Sequence, residues 1–158
     1  MKTLVAYYSL TGNTKFVAEQ IAGQLEADLC EVSAKTYKKK GKLLYLKGGS
    51  ASMREKLTEI ESSKSIDAYD LVVVGSPVWA GKIAPPIRTF LVKNDFADKQ
   101  VALFVTLDGD NAEKTFENIK KTVNYTSNVK GLAVTKALKN QEETQQQVIE
   151  WCSQLKND

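Results

Sequence analysis

The chain has no histidine, two cysteines and three prolines. Without histidine, neither a Ser-His-Asp nor a Cys-His catalytic site can be assembled, and ordinary zinc catalysis loses a principal ligand. Two cysteines cannot form a disulfide framework, and Cys30 and Cys152 lie too far apart in sequence for metal-ligand spacing. No apolar run approaches the roughly 20 residues of a membrane helix, so no membrane insertion is expected. Met1-Lys2-Thr3-Leu4 reads as a strand followed by a turn, with no signal-peptide cleavage pattern. A cytoplasmic location is the expectation.

What is present is ordinary in bulk and uneven in detail. The 158 residues suit a single domain over 1–158, with 42% hydrophobic and 26% charged residues. A net charge of +3 gives no case for nucleic acid. The basic charge is concentrated, however. Residues 35–56 hold Lys35, Lys38, Lys39, Lys40, Lys42, Lys47, Arg54 and Lys56 against Glu55, a net +7 that leaves −4 for the rest.

Apolar runs alternate with helical spacings. Strands are expected at Leu4–Tyr8, Leu29–Val32, Leu71–Val74, Val101–Val105 and Leu132–Val134. The run at 71–74 is apolar throughout, as suits a strand covered on both faces. Helices are expected over about 14–27 (Val17, Ile21, Leu25), 112–124 (Phe116, Ile119, Val123) and 142–156 (Val148, Cys152, Leu155). A further helix is read around 50–62 from Met53, Leu57 and Ile60, with Gly48-Gly49 breaking or preceding it. This β-α alternation predicts a doubly wound, mainly parallel α/β sheet with helices on both faces. Ligands of such sheets bind beyond the carboxyl ends of the strands, where the winding reverses. The loops to search are therefore 9–14, 76–83 and 106–111.

Ser9-Leu10-Thr11-Gly12-Asn13-Thr14 joins the first strand to the first helix. Gly12 permits a tight bend, and a helix start offers free N–H groups and a positive dipole end. A plain helix cap by Thr11 or Asn13 needs one side chain. Three hydroxyls exceed that need and fit a phosphate held without Lys or Arg. No nucleotide P-loop is present: Gly81-Lys82 comes nearest, but Ile83 follows it and Ser76 stands where the first glycine belongs. Gly75-Ser76-Pro77-Val78-Trp79-Ala80-Gly81-Lys82 follows the third strand. Trp79 there either covers the sheet end or stacks on a flat aromatic ligand. Thr106-Leu107-Asp108-Gly109-Asp110-Asn111 follows the next strand and supplies a turn and helix start.

The hexapeptide 9–14 resembles the phosphate loop of the flavodoxin family, S/T-x-T-G-N-T. Residues 75–81 resemble its second loop, G-[ST]-P-x-[WY]-x-G. The resemblance covers almost the whole chain and implies a flavodoxin-like, five-stranded parallel sheet of order 2-1-3-4-5, of the short type. It also implies flavin mononucleotide as cofactor, held by Ser9, Leu10, Thr11, Gly12, Asn13 and Thr14 at the phosphate. Pro77, Val78, Trp79, Ala80 and Gly81 would border the ring, and Thr106, Leu107, Asp108 and Gly109 its pyrimidine side. Many family members carry a Tyr in this third loop, and none lies between Thr106 and Asn111. Either Leu107 covers that ring face or the face is open. No catalytic side chain and no metal is implied. Three functions stand: an electron carrier between redox partners, a small flavin-dependent NAD(P)H or quinone-type reductase, or a flavin-free interaction module. The basic segment 35–56 is the expected docking surface for an acidic redox partner.

Overall fold

The apolar runs become strands of one sheet. The computed structural model describes residues 1–37, 50, 52, 54, 57–109, 112–122 and 131–157. The strands are β1 (Thr3–Tyr7), β2 (Asp28–Glu31), β3 (Leu71–Trp79), β4 (Lys82–Ile83), β5 (Gln100–Leu107) and β6 (Leu132–Thr135). The helices described are α1 (Asn13–Leu25), α2 (Pro85–Lys93), α3 (Ala112–Thr122) and α4 (Gln141–Asn157).

Five strands are parallel and run in the order β2-β1-β3-β5-β6, which is the expected 2-1-3-4-5 path. The two-residue β4 folds back antiparallel on the far end of β3, with Val78 opposite Ile83 and Trp79 opposite Lys82. Successive side chains of a strand point to opposite faces, and each face has its own helices. Leu4, Ala6, Val72, Val74, Leu103 and Val105 pack with Ile87, Phe90 and Leu91 of α2 and Ile119 of α3. Val5, Tyr7, Leu71, Val73, Ala102 and Phe104 pack with Val17, Ala18 and Ile21 of α1 and Val148, Trp151, Cys152 and Leu155 of α4. Both cysteines are buried among these apolar residues. Among the described residues no helix is long and apolar enough to cross a membrane.

Three elements differ from expectation by more than two residues at an end. The loop expected to begin at residue 76 begins at 80, because β3 continues through Trp79 to pair with β4. No element was expected between 84 and 99, yet α2 lies there. Pro85 and Pro86 open it at positions whose N–H groups need no partner, and Ile87, Phe90 and Leu91 bury its inner face. The helix around 50–62 fails in its second half: Leu57–Ile60 has no helix. There the backbone finds partners elsewhere. Thr58 N–H donates to Thr89 Oγ1 (2.9 Å), and Glu61 pairs with Ser33 in an antiparallel bridge. Residues 38–49, with Lys38, Lys39, Lys40, Lys42, Lys47 and Gly48-Gly49, lie outside the described residues, as do Met53, Asp110, Asn111 and Val123.

Candidate functional site

The chain must turn sharply between β1 and α1. Gly12 makes the turn at φ +98° and occupies the helix N-cap itself. A residue with a Cβ pays about 1–2 kcal/mol in the left-handed region, and glycine does not. No side chain caps the helix. The plain cap by Thr11 or Asn13, the alternative to a phosphate cradle, is not made, because Asn13 is already the first helical residue and the cap position has no side chain. Phe16 N–H is the first to find a carbonyl of the helix, on Gly12 (2.9 Å). The N–H groups of Asn13, Thr14 and Lys15 therefore have no intrahelical acceptor and carry the positive end of the helix dipole.

The hydroxyls around this helix end differ in what they can offer. Ser9 Oγ accepts from Gly12 N–H (3.1 Å), and Thr11 Oγ1 accepts from Asn13 Nδ2 (3.1 Å). A hydroxyl that already accepts within the loop still has its own proton to give. Thr14 behaves otherwise. It is buried, with Oγ1 2.7 Å from Thr106 Oγ1, and ties α1 to the end of β5. Lys15 of the first turn is paired with Glu19 (3.9 Å).

The second wall is the β3–β4 hairpin. Its two turn residues, Ala80 (φ +52°) and Gly81 (φ +74°), both have positive φ, the pattern of a type I′ turn that matches the twist of the strands. Thr115 of α3 donates to Gly81 C=O (3.1 Å) and holds the turn. Ser76, buried, accepts from Ala84 N–H (3.0 Å) and fixes where the chain enters α2. Trp79 is 7% exposed, packed in the core with its ring edge-on to Tyr8 at 5.7 Å, and it also lines the cleft described next. Of the adjacent tyrosines, Tyr8 therefore braces Trp79, whereas Tyr7 lies on the other face of the sheet. The Tyr7 phenol is pushed up to about 12, by burial first and then by the negative charge of Glu31.

These walls meet in one cleft. Leu10, Thr11, Asn13, Pro77, Val78, Trp79, Thr106, Leu107 and Asp108 line it. It encloses about 400 Å³ of space free of protein atoms, open solvent at its mouth included. All three loops searched for contribute. Among the described residues, Asp108, exposed, is the only ionisable one lining the cleft. The remaining expected site residues stand behind or beside the cleft. Ser9 and Gly12 shape the cradle, Thr14 is the buried strut, Ala80 and Gly81 form the hairpin turn, and Gly109 is exposed next to Asp108. The connection between β6 and α4, residues 136–140, was not expected here. Lys136 N–H donates to Leu107 C=O (3.0 Å), and Leu138 N–H donates to Asn13 Oδ1 (3.0 Å). Its position after the last strand was the one signal that could have found it.

The cleft lies beyond the carboxyl ends of β1, β3 and β5, where the winding reverses between β1 and β3. That makes the molecule a doubly wound α/β protein with a cleft at the place where such sheets take their ligands. A sequence model of the family described as Flavodoxin matches residues 2–155, and the chain belongs to the flavodoxin family. Among solved structures it is similar to a flavoprotein from Lactobacillus acidophilus NCFM in complex with FMN. The two share 27% identity over 89% of this chain and 97% of that one, with a TM-score of 0.68. It is also similar to a candidate flavoprotein from Bacteroides uniformis ATCC 8492, at 28% identity over 92% and 96% of the two chains and a TM-score of 0.71. Oxidised flavodoxin 2 from Bacillus cereus shares the fold, at 22% identity over 96% and 95% of the chains and a TM-score of 0.62. No curated protein matches the chain.

Proposed function

We propose that the chain binds flavin mononucleotide, with its phosphate at residues 9–14 and its ring beside Trp79, and carries electrons between redox partners. The observation that supports this best is the composition of the cleft. One end offers helix N–H groups and hydroxyls whose protons are free to be given, which is what a phosphate accepts. The other end is walled by Val78, Trp79 and Leu107. The related Lactobacillus acidophilus flavoprotein, solved with FMN, supports the same ligand. Bound there, the flavin supplies the redox chemistry, and the chain's part is to hold the phosphate, orient the ring and keep water from it. The neutral cradle leaves the phosphate charge uncompensated, which favours a low reduction potential.

Titration with flavin mononucleotide and with riboflavin tests the reading. The phosphate-bearing form should bind far more tightly, and equal affinity would sink it. Thr11→Ala should weaken only the phosphate-bearing form, by about 1.5–3 kcal/mol for a hydrogen bond to a charged group. Trp79 fluorescence should be quenched on binding, leaving Trp151 as the residual signal.

A second reading, a small flavin-dependent NAD(P)H or quinone-type reductase, is favoured by one observation: among the described residues Trp79 is the sole aromatic lining the cleft. A ring without a second aromatic cover is open to a flat substrate. Turnover of a quinone with reduced nicotinamide decides between the two.

For the carrier, the partner is an acidic redox protein. The +7 segment 35–56 follows β2, whose carboxyl end is on the side of the cleft. Reversing charge at Lys38, Lys39 and Lys40 should slow electron exchange with a small acidic iron–sulfur protein. Salt should do the same over a Debye length of about 8–10 Å. A stopped-flow rate indifferent to both would leave the segment no docking role.

A further inference from the structure

We propose that Asn13 is a positioning residue that commits the Thr11 hydroxyl to donating into the cleft, and that the β6–α4 connection is part of the phosphate site through it. The proposal rests on the flavin mononucleotide reading and deepens it. Its starting point is a hydrogen-bond direction. A backbone N–H only donates, so Leu138 N–H requires the Asn13 atom facing it at 3.0 Å to be the oxygen. The amide orientation is thereby fixed, and the NH₂ is the group facing Thr11 Oγ1 at 3.1 Å. An NH₂ gives and does not take. Thr11 must accept from it, and its own proton is turned away, toward the cleft that Thr11 lines.

The result is a one-way relay: Leu138 N–H to Asn13 Oδ1, Asn13 Nδ2–H to Thr11 Oγ1, Thr11 O–H to whatever occupies the cleft. Hydrogen bonds aligned in this way polarise one another. With one lone pair taken by Asn13, the Thr11 proton is left to give, which favours an oxyanion at that point. It also explains why a loop 125 positions away is held against the cradle. Leu138 reinforces that fit, since its Cδ1 stands 3.4 Å from where a side chain on Gly12 would begin.

The test is a double-mutant cycle on Thr11→Val and Asn13→Ala, read as the ratio of flavin mononucleotide to riboflavin affinity, with thermal unfolding checking each variant. Thr11→Val should lower that ratio about tenfold or more, the size of a charge-assisted hydrogen bond. Asn13→Ala should lower it in the same direction, and the double variant should lose little beyond Thr11→Val alone. Additive losses would overturn the relay. So would an Asn13→Ala loss shared equally by riboflavin, or no loss at all. If Asn13→Ala does not fold, Asn13→Asp serves. It keeps an acceptor for Leu138 N–H, while its second carboxylate oxygen draws the Thr11 proton inward. The added charge repels a phosphate by itself, so the ratio is read at high salt: a loss that persists supports the relay, and a loss that salt abolishes, or none, overturns it. A parent chain that binds neither flavin fails at the first step and sinks the functional reading itself.

Discussion

Ala80 occupies a conformation that suits glycine better. At φ +52° its Cβ costs the turn about 1–2 kcal/mol, partly offset because alanine restricts the unfolded chain more than glycine does. Ala80→Gly should therefore raise stability by roughly 0.5–1 kcal/mol, read as a shift in the urea midpoint. An unchanged or lowered midpoint would show that the turn is not strained. Gly75 is the opposite case, set by space. A Cβ there would lie 2.0 Å from the Phe104 ring on the neighbouring strand. Gly75→Ala should cost about 1–3 kcal/mol as an overpacked core site, and adding Phe104→Leu should restore part of it. Equal stability of Gly75→Ala and the parent would refute the contact.

Between elements, the Thr14–Thr106 pair fastens α1 to β5 from inside the protein. Removing one hydroxyl strands the other in a buried place, at about 1–3 kcal/mol. Thr106→Val and Thr14→Val should each destabilise by that order, and the double variant by less than the sum. Additive losses in denaturant melts would mean that the two hydroxyls do not share a bond. This pair also marks where sequence reasoning ends. Thr14 could be read as one of three hydroxyls near a phosphate, but not as the one facing inward, because the pairing depends on a residue 92 positions later. The central strands β1, β3 and β5 were legible because strands covered on both faces are apolar throughout, the edge strands β2 and β6 only as short runs between helices, and α1 and α4 because apolar residues recur at helical spacing. α2 was missed: Pro85-Pro86 resembles a loop until the missing N–H groups are seen to fall at a helix start. The end of β3 was placed early because Ser76-Pro77 looks like a turn, while its pairing partner, Lys82–Ile83, is too short to show a pattern. The plain-cap alternative for Thr11 or Asn13 is not realised, because a glycine fills that place by its backbone alone. The 136–140 connection carries no motif, and only the three-dimensional register brings Leu138 to Asn13.

For the molecule as a whole, buried weak acids set an alkaline limit. The Tyr7 phenol is raised from 10.0 to about 12, and the Cys152 thiol from 9.0 to about 11, each chiefly by burial. Both groups are neutral when protonated, so the native state holds its protons more tightly than the unfolded one. The stability each contributes is complete below its unfolded value and is lost as pH rises to the folded one. The window runs from about 9 to 11 for Cys152 and from about 10 to 12 for Tyr7. Each should remove on the order of 2–3 kcal/mol across its window. Tyr7→Phe should flatten the upper part of the decline, and Cys152→Ala the lower part. Urea unfolding at about pH 8, 10 and 12 checks both, and identical slopes in parent and variants would discard the assignment.

The strand order has one more consequence, for a chain made from its N-terminus. β1 lies between β2 and β3, and all five of its residues are buried in the finished sheet. When β1, α1 and β2 have left the ribosome, β1 can pair along one edge only. Its other partner begins at Leu71. Until then the nascent polypeptide presents Thr3-Leu4-Val5-Ala6-Tyr7 as a bare apolar strand edge, the kind of template that recruits neighbouring chains. Translation arrested before Leu71 leaves that edge uncovered, and the arrival of β3 closes it.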